Sequence, residues 1–263
     1  PAMESIKFRG PQAVAQIAIA LALLITFSTG LKVGRHVADE FNVSSGRSDA
    51  SISGPYFPFE LDQPIRKLAL PGILAEVSAI SYIDDRRLAM VQDELGIIFI
   101  CSIVDGHIIN KFPFASSGDY EGLAIVNDDA WVLRSNGDLY HVSGLQKTNP
   151  VINKVKTFLK SEDDTEGLSY DALGNQLLIG LKEPPNLGGE RKSDKRAVYA
   201  YKLERNFISP SPFLLLDMNE LKRVYQSQVS GNKARRFNLQ TIAEFQPSDL
   251  AVHPITGHIY HIA

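Results

Sequence analysis

Beyond residue 75 the chain is written in short apolar stretches separated by turn residues. Leu88 to Val91, Ala130 to Leu133, Gln176 to Ile179 and His258 to Ile262 each run for four or five residues. Each follows a turn cluster: Asp84-Asp85, Asn127-Asp128-Asp129, Leu173-Gly174-Asn175 and Ile255-Thr256-Gly257. Runs this short, bounded by Gly, Asn and Asp, predict β-strands. A further stretch follows a second turn at Leu95-Gly96, at Asn136-Gly137 or across the longer 183–195 segment: Ile97 to Ile100, Asp138 to Val142 and Ala197 to Leu203. Helical spacing emerges only over Met218 to Val229, where Leu221, Val224, Tyr225 and Val229 share a face.

The stretch before each first turn repeats. Four segments superimpose without gaps: Glu76-Val77-Ser78-Ala79-Ile80-Ser81, Asp119-Tyr120-Glu121-Gly122-Leu123-Ala124, Asp164-Thr165-Glu166-Gly167-Leu168-Ser169 and Gln246-Pro247-Ser248-Asp249-Leu250-Ala251. Their third positions, 78, 121, 166 and 248, are 43, 45 and 82 residues apart, so the last step carries an insertion. A period near 45 with several short strands per repeat is that of a propeller blade. The predicted fold class is all-β, a β-propeller, with about four blades present.

Ahead of the repeats, Ala13 to Phe27 is an apolar run broken only by Gln16 and Thr26, flanked by Lys7/Arg9 and Lys32/Arg35. Its length suits the core of an export signal, and extension to Leu31 allows an uncleaved single anchor helix touching the membrane through 13–31. Lys7 and Arg9 favour an N-terminus inside and a body outside the cytoplasmic membrane. Residues 38–55, rich in Ser, Gly and Asp, read as a linker, and Asn42-Val43-Ser44 matches a sequon. The expected organisation is 1–35 signal or anchor, 36–55 linker and 56–263 propeller, in a periplasmic or cell-envelope protein.

Composition narrows the partners. A chain of 263 residues, 44% apolar and 22% charged, can bury a core, and a net charge of −3 offers nucleic acid no attraction. The single cysteine, Cys101, allows neither an internal disulfide nor a thiolate metal cluster and reads as a small buried apolar group.

Equivalent onset residues of a propeller converge on its axis. Glu121 and Glu166 share one position, with Asp119 and Asp164 two residues earlier on the same side of an extended strand. Crowded carboxylates repel, a cation relieves the repulsion, and hard oxygens suit Ca²⁺. Asp93-Glu94 and Glu183 follow corresponding second strands, where the second repeat has Arg134. The candidate metal set is therefore Glu121, Glu166, Asp119 and Glu94. The same acids would serve equally as turn caps or solvated loop charges. No nucleophile elbow, His-Glu-x-x-His helix or phosphate loop is present, and the histidines, including His258 and His261, lack ligand spacing. Lys233, Arg235 and Arg236 form a basic cluster within the insertion.

Taken together, D-Y-E-G-L-A, V-L-R-S-N-G-D-L-Y, D-T-E-G-L-S-Y-D and A-V-H-P-I-T-G-H-I-Y resemble the bacterial SdiA-regulated family, from about Ile65 to Ala263. The resemblance implies an exported or tethered, calcium-binding, five-bladed propeller distantly related to NHL-repeat propellers. No fifth onset follows Ser248, so the last blade is expected to be missing here, and its absence to strand Ile65 to Leu70, which in such folds supplies an outer strand to the last blade. Two functions stay open: a noncatalytic module for an envelope ligand or protein, and a metal-dependent hydrolase of lactonase or phosphoesterase type.

Overall fold

The computed structural model describes residues 25–26, 66–145, 147, 149–228 and 245–262. The 13–31 run, apart from 25–26, lies outside them, as do the linker, the sequon at Asn42 and the Lys233 cluster. Ile25–Thr26 is a two-residue strand, β1. Among the described residues no helix is long and apolar enough to cross a membrane.

Each repeat folds into an antiparallel sheet. The first is β2 (Val77–Asp84), β3 (Arg87–Gln92), β4 (Leu95–Ser102) and β5 (Ile108–Pro113), paired in that order. The second is β6 (Tyr120–Val126), β7 (Asp129–Arg134), β8 (Leu139–Ser143) and β9 (Val151–Val155). The third begins with β10 (Thr165–Asp171) and β11 (Gln176–Leu181), and the hairpin β12 (Asn186–Leu187) with β13 (Glu190–Arg191) stands out from it. It is completed by β14 (Lys195–Lys202), which pairs with both β15 (Phe207–Ile208) and β16 (Leu214–Asp217). The helix expected near Met218 forms as α1 (Met218–Gln228). The fourth repeat supplies β17 (Asp249–Val252) and β18 (Ile259–Ile262), to whose free edge β1 adds.

The first strands of consecutive sheets, β2, β6, β10 and β17, lie side by side, which makes the sheets radial blades around an axis. Both faces of a blade are then covered. β7 and β11 are buried along nearly their whole length, and the apolar runs of the sequence are therefore continuous instead of alternating. Between blades one and two the core is built on Val91, Ile98, Tyr120, Val132 and Val142, and between two and three on Trp131, Leu133, Leu177, Ile179 and Tyr199. Each such side chain contributes roughly 1.5–3 kcal/mol relative to exposure.

Serine hooks join neighbouring inner strands. Ser81 Oγ accepts from the Ile125 N–H at 3.1 Å and Ser169 Oγ from the Val252 N–H at 3.0 Å, whereas Ala124 stands at this position between blades two and three. Ser81→Ala orphans a half-buried donor and is expected to lower stability by about 1 kcal/mol in urea unfolding. A change indistinguishable from zero would show the hook to be replaceable by water.

One expectation is corrected. Leu95-Gly96 is not a turn: the chain reverses at Asp93-Glu94, and Gly96 lies in β4, where an added Cβ would stand 2.2 Å from the Ala115 carbonyl oxygen. Close approach of two backbones explains that glycine. Residues 66–70 form no strand but run along the first blade, where the Arg66 guanidinium donates to the carbonyls of Ile103 and Val104.

Candidate functional site

The onset residues sit on β-bulges. In β2, β6 and β10 the register slips across Ser78, Glu121 and Glu166 respectively, one residue in each blade at the equivalent place. A bulge re-aims its side chain at the sheet end. The residue after it, Gly122 or Gly167, has no side chain because the next inner strand passes against it: an added Cβ would lie 2.5 Å from Leu168 Cβ at the first and 2.7 Å from the Leu250 nitrogen at the second. The Glu-Gly-Leu onset thus combines an acid at the axis, contact between inner strands and a leucine in the interblade core.

Main-chain bonds lock this end. The Tyr120 N–H donates to the Asp93 carbonyl and the Thr165 N–H to the Ser135 carbonyl, while the N–H groups of Asp93, Ser135 and Lys182 donate to Glu76, Asp119 and Asp164. Ser78 Oγ donates to the Tyr120 carbonyl at 2.5 Å. Pro247 occupies the place of Tyr120 and Thr165 and has no N–H to offer the next link.

Several acids therefore converge. Burial, the charge of Glu166 and a hydrogen bond with Asp119 push the Glu121 carboxyl up to about 8, with Asp93 adding to the effect. Burial also raises Glu166, but Lys182 pulls it back, its Nζ lying 2.7 Å from Glu166 Oε1 and 3.6 Å from Asp164 Oδ2. Burial pushes Asp249 up to about 7, and Glu166 contributes. Of the four predicted residues, Glu121, Glu166 and Asp119 come together. Glu94 is exposed in the β3–β4 turn, and its neighbour Asp93 acts on Glu121 in its place.

Sequence reasoning missed Lys182 and Asp249. Asp249 had a signal, since it replaces the glycine of the Glu-Gly-Leu onset. Lys182, one residue beyond β11, had none.

The donor chemistry suits a hard cation. As placed, however, the residues are not a finished metal site: among the described residues no three acid, imidazole or thiol groups draw close enough to ligate one ion, and Lys182 already supplies positive charge to Glu166. His141 and His107 lie elsewhere. His141 stacks on Trp131 at 4.2 Å and bonds Asp129, and His107 pairs with Asp105 at the surface.

No curated protein matches the chain. Among solved structures it is similar to glutaminyl cyclase of Myxococcus xanthus, at 14% identity and a TM-score of 0.44 over 71% of this chain and 67% of the cyclase. It is similar also to a catalytically inactive virginiamycin B lyase from Staphylococcus aureus with quinupristin, at 14% identity and a TM-score of 0.44 over 77% of this chain and 56% of the lyase. A family sequence pattern matches as well. It covers residues 51–246, three blades and the insertion after them, and by it the chain belongs to the SdiA-regulated family.

Proposed function

We propose that the protein is an exported, noncatalytic binding module of the cell envelope whose axial carboxyl cluster takes up a cation, Ca²⁺ being the ion the family resemblance implies. The observation that supports this reading is the crowding of acids at the axis, Glu121 against Glu166, Asp119 and Asp93, and Asp249 against Glu166, with Lys182 paired to Glu166 and Asp164, which leaves Glu121 holding its proton to about 8. Half-buried carboxylates held together repel one another, and a cation offsets that repulsion. The apolar 13–31 run, between basic flanks, supports export.

Calcium titration of the full chain, followed by thermal unfolding, tests the reading. An ion bound by the native state alone raises stability by RT ln(1 + [L]/Kd), about 2.7 kcal/mol at a hundredfold excess over Kd. The gain is expected to vanish in Glu121→Gln/Glu166→Gln, and a flat wild-type response would overturn the cation reading. Turnover of lactones or phosphoesters that disappears in the folded double variant would replace the binding reading with the hydrolase one.

A further inference from the structure

The inner strands have a second end, opposite the carboxyls, and there the first two blades diverge around a cleft of about 360 Å³. Its floor is aliphatic and aromatic: Ile83, Ile100, Phe112, Ile125 and Leu145. Ile100 and Leu145 are buried, but Ile83, Phe112 and Ile125 are only half-covered, at the edge of the core that joins these blades. The volume is that of a small-molecule site, and the lining is divided between this apolar floor and a polar rim.

The rim is rich in donors. It carries the Arg87 guanidinium, the Lys147 ammonium and the amides of Asn110 and Asn127, against the carboxylates of Asp128, which is already engaged within the protein, and of Asp84, which pairs with Arg87. Arg87 is steadied by Asp84, with contacts of 2.6 and 2.8 Å to one carboxylate oxygen, and keeps further N–H donors. The Lys147 stem lies against Gly144, where an added Cβ would be 2.7 Å from Lys147 Cδ. Two cations beside an apolar floor suit a ligand with a hydrocarbon body and an anionic end.

We propose that this cleft binds a medium-chain aliphatic carboxylate, its chain on the Ile83, Phe112 and Ile125 floor and its carboxylate at Lys147 and Arg87. The site is separate from the axial acids. Calorimetric titration of the full chain with decanoate is expected to show saturable 1:1 binding. Lys147→Ala should weaken it about tenfold, the scale of one charge-assisted contact. Ile109→Trp, at an exposed rim position and therefore safe for folding, should abolish it, and Glu121→Gln should leave it unchanged. Absence of saturable binding, equal binding of decylamine, or indifference to both rim variants would overturn the assignment.

Discussion

Gly167→Ala is expected to remove about 3 kcal/mol or more of stability, enough to unfold a marginal domain. The added methyl would sit 2.7 Å from the Leu250 nitrogen and 3.0 Å from the Asp249 carbonyl carbon. Both are backbone atoms of the neighbouring inner strand, so no side chain can swing away and the blades themselves must part. Leu250 would then be withdrawn from its core with Leu178 and Val198. Gly72→Ala is the control: nothing lies within 4 Å of its added Cβ, and its backbone needs no left-handed conformation. That variant should fall within about 0.5 kcal/mol of wild type. Urea unfolding decides it, and equal midpoints for the two variants would mean that the inner strands are not held in contact.

The second large effect is on pH dependence. In the absence of added cation, the Glu121 carboxyl titrates near 8 in the folded protein and near its ordinary 4.5 in the unfolded chain. Below pH 4.5 both states hold the proton and the group contributes nothing. As pH rises towards 8 the unfolded chain releases it first, so stability falls across this window and levels off above it. The loss is expected to be roughly 2 kcal/mol, less than the full displacement implies because the carboxyl is partly in water. Asp249, raised to about 7, acts in the same direction. His261 opposes them: it is buried, neither ring nitrogen finds a partner among the described residues, and burial pushes it down to about 4. Its neutral form therefore adds stability as pH rises from about 4 to 6.5. Subtracting Glu121→Gln from wild type isolates the carboxyl. Urea unfolding at pH 5, 6.5 and 8 should show the variant overtaking wild type as pH rises; parallel curves would contradict the crowding.

The inner two or three strands of each blade were legible because both faces of a propeller sheet are covered, and their residues stay apolar wherever they point. The outermost strands escaped for the opposite reason. β5 and β9 face water, with Ile109 48% and Val151 60% exposed, and a solvated strand carries no apolar signature. The Leu95-Gly96 misreading has the same root, since a glycine needed for close approach to Ala115 looks, in one dimension, like a turn glycine.

At the axis the division is sharper. The repeat spacing alone placed Glu121 and Glu166 at one structural position in neighbouring blades, because a repeated unit repeats its geometry. What surrounds them depends on how blades are rotated against one another, which spacing does not encode. The β10–β11 hairpin brings Lys182, 16 residues from Glu166 in sequence, to within 2.7 Å of it. Only the packing of the fourth repeat on the third sets Asp249, 83 residues along, where it feels the charge of the same carboxylate. Local sequence decides what forms a strand and where the acid stands on it. The balance of charge at the axis is a property of long-range packing, since Coulomb energy depends on distance through space and on burial.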